Sequence, residues 1–116
     1  MPVQIYVISA LFAAMGLYAL AQPHRIVDRF GIAVETADGR NEIRAVYGGF
    51  GVAIAVLLLA PLVEPDLYAG IVLAVAVALG GMAAGRVIGA LIDRPGKWPV
   101  TFFFVEAIGA AVLLSA

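Results

Sequence analysis

The chain contains no cysteine. Disulfides, thiolate catalysis and cysteine-ligated metals are therefore excluded, and the usual clue to redox compartment is missing. Histidine occurs once, as His24, and no His/Glu spacing around it resembles a metal motif, so His24 reads as an interface residue. No cofactor-binding motif is present, and no cofactor is expected. Charge is also scarce: Asp, Glu, Lys and Arg make up 13% of the residues, with a formal net charge of −1. A nucleic-acid partner would need a basic face, which this balance does not supply. A soluble domain of 116 residues could not hide a 64% hydrophobic composition, because small domains keep a large surface for their volume. The N-terminus lacks the basic region of a cleaved signal peptide, so the first apolar run is expected to be retained.

What remains is apolar sequence, with a mean hydropathy of +1.06. It falls into four runs, at residues 3–22, 42–60, 67–92 and 99–116. A run of about 20 residues at 1.5 Å rise crosses the ~30 Å hydrocarbon core of a bilayer. The expected fold is therefore all-α: a single four-span transmembrane helix bundle. Pro23 closes the first span. Asn41 is the expected N-cap of the second, with Ala37-Asp38-Gly39-Arg40 as a turn before it. Residues 24–36 are too polar to span. There Ile26, Val27 and Phe30 share one helical face against Arg25, Asp28 and Arg29. That pattern predicts a short amphipathic helix lying in the membrane interface, its apolar stripe in the acyl boundary. The third run is long enough to need tilt, and Trp98 reads as an interface anchor at the start of the fourth.

All seven basic residues fall in or near the first and third connections; the second carries Glu64 and Asp66. The positive-inside rule then puts both termini outside and both basic connections in the cytoplasm.

Two charges lie deep within the spans. Arg86 and Glu106 are each ten positions from Gly96, in the middle of the third connection. In antiparallel helices joined there, equal distance means equal depth, roughly 10 Å inside the boundary. An unpaired charge at such depth costs about 2.5–3.5 kcal/mol on insertion scales, so an Arg86–Glu106 ion pair is expected. Glu42, Arg44 and Tyr47 enter from the same side on the second span. These five residues form the expected polar cluster, in the cytoplasmic half of the bundle. A purely structural role, as cap, snorkel and register lock, stands beside that reading. Two stripes of small residues, Gly81/Gly85/Gly89 and Ala45/Gly49/Ala53, predict close helix seams within the chain, with a dimer face as the alternative.

The second span opens Glu42-Ile43-Arg44-Ala45-Val46-Tyr47-Gly48-Gly49. With Phe30-Gly31-Ile32 after the first span, Arg86 late in the third and Glu106 within the fourth, the chain resembles a bacterial family of small membrane proteins, domain of unknown function 4345. The resemblance covers nearly the whole chain and puts the five polar residues at signature positions. It implies an inner-membrane four-helix bundle and brings no activity, substrate or cofactor. The leading expectation is a non-enzymatic binding or accessory protein. Its partners would be membrane lipids, a lipid-like or anionic small ligand, or a larger membrane complex or homo-oligomer. A cavity beside Arg86 and Arg44 would favour the ligand. The alternatives are a small membrane enzyme, or an oligomeric transporter, using the Arg86/Glu106 pair. The first lacks a nucleophile–base pair, and the second lacks a relay longer than one ion pair.

Overall fold

The computed structural model describes all residues from Met1 to Ala116. Every regular element is helical. Helix α1 spans Val3–Ala21 and α2 spans Pro23–Asp28. The second long helix is composite: α3 (Ala37–Ile43), a π-helical turn (Arg44–Gly49), α4 (Phe50–Leu59) and a 3-10 turn (Ala60–Leu62). A second 3-10 turn, Pro65–Leu67, leads into α5 (Tyr68–Ile92), and α6 spans Lys97–Leu114. Four of these units, Val3–Ala21, Ala37–Leu62, Pro65–Ile92 and Lys97–Leu114, are long and apolar enough to cross a membrane.

The second long helix begins earlier than the sequence suggested. Residues Ala37 to Arg40 are helical, not a turn, and the cap is Thr36 rather than Asn41. The Thr36 hydroxyl accepts a 3.0 Å hydrogen bond from the Gly39 N–H. Asp38 then sits in the first turn, where a negative charge complements the helix dipole. Gly39 hid this start, because glycine in a polar run reads as a loop.

The helices form two antiparallel hairpins, α1 with α3–α4 and α5 with α6. One end of the molecule, the acidic end, carries both termini and the Glu64/Asp66 connection. The other, the basic end, carries the connections holding Arg25, Arg29, Arg40, Arg94 and Lys97. The shared core lies toward the acidic end. Ile5 and Ile8 of α1, Leu58 of α4, Ile71 to Leu79 of α5, and Ala110 and Leu113 of α6 meet there. Large apolar side chains such as Val7, Leu17, Phe50, Val77 and Ile108 remain on the outside. Water would not tolerate such a surface, whereas lipid is as apolar as the side chains themselves.

Toward the basic end the hairpins are joined differently. Pro23 and Val27 of α2 are fully buried, so its apolar side is turned into the protein rather than toward lipid tails. Gly31, the single residue with positive φ (75°), ends this segment and turns the chain. Phe30, just before it, stacks on Phe102 of α6 with 5.3 Å between ring centroids. The short segment is thus a wedge holding one hairpin to the other.

Helix seams are built by glycines other than those expected. A Cβ at Gly16 of α1 would lie 2.7 Å from both the Gly48 carbonyl oxygen and the Val52 nitrogen. One at Gly51 would lie 3.1 Å from the Gly16 Cα. These three glycines let α1 and the second long helix touch backbone to backbone. The Ser9 hydroxyl adds a 2.8 Å bond to the Ala55 carbonyl. Ala45, Gly49 and Ala53 are exposed, as are Gly81, Gly85 and Gly89. A Cβ at any of the α5 glycines would meet nothing within 4 Å. Neither expected stripe is a seam within the chain.

Candidate functional site

Arg86 lies on α5 less than two turns before its end, and Glu106 lies midway along α6. Both helices are continuous here, because Ala, Val, Ile and Phe flank each charge with good helix formers or membrane-tolerant residues. Glu106 is only 3% exposed, so its carboxylate needs a partner. Arg86 supplies it: its Nε–H donates to Oε1 of Glu106 and reaches Oε2 at 3.1 Å. The Arg86 guanidinium also lies 5.7 Å from the Phe30 ring and 5.8 Å from the Phe102 ring. Two aromatic faces beside a desolvated cation add attraction through their quadrupoles.

The ion pair engages one nitrogen of the fork. The two terminal nitrogens of Arg86 have no hydrogen-bond partner in the protein, yet they are not sealed from the surroundings. Four N–H donors are therefore free of any protein acceptor. Arg86 also lines an open groove of about 530 Å³ with Gly85, Gly89, Asp93 and Arg94. Beside Pro99, which also lines the groove, Trp98 has two cations close to its ring, Arg29 at 5.1 Å and Lys97 at 5.5 Å from the centroid.

The other expected residues sit on the first hairpin, apart from this pair. Arg44 donates from Nε to the Leu20 carbonyl at 3.0 Å, so it caps the end of α1. Glu42 is exposed at the end of α3, and Tyr47 is half-buried within the π turn. No ion pair or hydrogen bond links any of the three to Arg86 or Glu106. Sequence reasoning missed Phe30 and Phe102. Phe102 is one turn before Glu106 on the same helix face, a signal that was present in the spacing. Phe30 reaches the site through the wedge, which no local pattern announces. The acidic end holds one further polar feature, the Tyr68 hydroxyl, buried without a partner beside a groove of about 470 Å³. No group of three His, Asp or Glu side chains comes together as a metal site.

A family model described as a domain of unknown function (DUF4345) matches residues 3–116. The chain belongs to the DUF4345 family. No curated protein and no solved structure matches it. For this DUF4345 chain, chemistry must therefore be read from the site itself. The Glu106 carboxylate is occupied by the Arg86 Nε–H, and the terminal nitrogens of Arg86 are left without a protein partner. An arginine with free donors beside a groove is placed to bind an oxygen-rich group.

Proposed function

We propose that this protein is a non-enzymatic, multi-pass membrane protein that binds a lipid-like amphiphile through Arg86. The ligand presents an anionic or carbonyl oxygen to the free N–H groups of the guanidinium. Glu106 holds the guanidinium in place and cancels its charge, and Phe30 and Phe102 lie together on one side of it. The observation that carries this reading is the set of unpartnered Arg86 nitrogens opening on a groove. Guanidinium donors that no protein acceptor satisfies are open to a bound oxygen ligand. The membrane is a bacterial inner membrane, with the basic end cytoplasmic and both termini outside, by the distribution of Lys and Arg. Arg44 ties the end of α1 to the second long helix through the Leu20 carbonyl, and Glu42 and Tyr47 stand outside the proposed site.

Native mass spectrometry of the protein released gently from its own membranes tests this. A bound small molecule of defined mass is expected, and it should be lost in Arg86→Ala. A bare chain in both forms would reduce the pair to a lock between α5 and α6.

A further inference from the structure

The groove beside Arg86 carries its binding role one step further, to the class of ligand. It runs along α5 from Met82 to the helix end at Ile92 and on past Asp93 and Arg94. At 1.5 Å per residue the helical part is about 15 Å, close to the hydrocarbon thickness of one leaflet, and the mouth beyond it is left for a headgroup. Its floor includes Gly85 and Gly89, where an added Cβ would touch nothing within 4 Å. Glycine weakens a helix relative to alanine, and no neighbour inside the chain needs the space. The missing side chains deepen the groove instead.

The polar groups are ordered along it. Asp93 and Arg94 stand exposed at the mouth, and neither is engaged in an ion pair. Arg86 lies two turns deeper, already neutralised by Glu106 but with free N–H donors. Met82 ends the groove with an apolar side chain. The groove thus has no net formal charge. A purely anionic head would face Asp93, and an uncharged one would leave Arg94 unmatched. A phosphate beside a primary ammonium satisfies both, and ester carbonyls and a chain lie below it in the right order.

We infer that the groove seats one aminophospholipid, with phosphate at Arg94, ammonium at Asp93, ester carbonyls over Gly89 toward Arg86 and an acyl chain along Gly85 and Met82. The inference rests on the binding role of Arg86.

The test is native mass spectrometry of the full chain in detergent, titrated with phosphatidylethanolamine, phosphatidylglycerol and phosphatidylcholine of identical acyl chains. One molecule of phosphatidylethanolamine should be retained with about tenfold preference over the other two, the size of one charge-assisted contact. Choline cannot donate a hydrogen bond to Asp93, and glycerol carries no cation. Asp93→Asn should erase the preference over phosphatidylglycerol, and Arg94→Gln should weaken all three. Gly85→Leu should block retention; because both mouth residues are exposed, their variants remain informative where Gly85→Leu unfolds. Equal retention of the three lipids, or a preference that survives Asp93→Asn, would mean ordinary annular lipid and overturn the inference. A different mass lost only in Arg86→Ala would overturn it too, while leaving the Arg86 reading intact. Absence of any bound molecule would overturn both.

Discussion

At the scale of single residues, the Arg86–Glu106 pair is the chain's largest electrostatic commitment. Glu106 is nearly inaccessible, while the Arg86 side chain is 27% exposed. Removing the carboxylate leaves a cation beside two phenyl rings with no counter-charge. Glu106→Gln should therefore destabilise the protein by about 3 kcal/mol, the low end for a broken buried pair because Arg86 keeps some access. Glu64→Gln, in the exposed acidic connection, should change stability by less than about 0.5 kcal/mol. Unfolding midpoints of the two variants in the same detergent compare them directly; similar midpoints would mean that water reaches Arg86 freely. Arg44 belongs to a different category of intramembrane charge. Its bond to the Leu20 carbonyl satisfies a helix end, so its work is local and it leaves the groove untouched.

At the scale of elements, the glycines divide sharply by what surrounds them. A methyl at Gly16 runs into backbone atoms of the second long helix at 2.7 Å, and backbone cannot step aside. Gly16→Ala should cost about 1–3 kcal/mol through forced separation of α1 from its partner. Gly81→Ala meets open space and gains helix propensity, so it should be neutral or stabilising by up to about 1 kcal/mol. Thermal midpoints that fall equally for both would show that α5 is covered by another chain. The π turn at Arg44–Gly49 makes a second prediction at this scale. Such a turn is one residue inserted into an α-helix, rotating the downstream segment by about 100° relative to an unbroken helix. Deleting exposed Val46 should convert the turn to α-helix and keep both flanks facing α1. Deleting Ile54 in α4 has no such slack and should turn Ala55 and Leu58 away from the core. Folded yield should survive the first deletion better than the second; equal loss would mean that the turn is not an insertion.

At the scale of the whole molecule, the hairpins share their apolar core toward the acidic end and are wedged by α2 at the basic end. The Phe30–Phe102 contact and the Arg29–Trp98 contact are where the wedge grips the second hairpin. The proposed membrane orientation is a property of the same scale, and rests on the seven Lys and Arg in or near the first and third connections. The absence of native cysteine makes it directly measurable, since any introduced thiol is unique. In intact cells a membrane-impermeant maleimide should label Glu64→Cys and spare Asp38→Cys, both at exposed positions. Inverted vesicles should give the opposite pattern. Labelling of Asp38→Cys from outside would reverse the proposed topology and move the lipid groove to the other leaflet.

The number of helices, their apolar exterior and the matched positions of Arg86 and Glu106 along α5 and α6 were determined by the sequence alone. Each depends on run length or on residues counted from a turn, and these are one-dimensional quantities. Pairing across α5 and α6 comes from the same count, because Gly96 is equidistant from both charges. Tertiary structure decided the rest, for reasons that no run or count contains. Ala45/Gly49/Ala53 and Gly48/Gly51/Ala55 are equally plausible stripes on paper, and only the π turn selects which one faces α1. Gly81/Gly85/Gly89 has the spacing of a seam, but the face it occupies is left open by where α6 packs. Val27 and Phe30 read as residues for lipid, since an amphipathic stripe is the same whether it meets acyl chains or protein. The gap between two hairpins turned that stripe inward. It set Phe30 against Arg86, and it left Arg44 at the end of α1 instead of beside the ion pair.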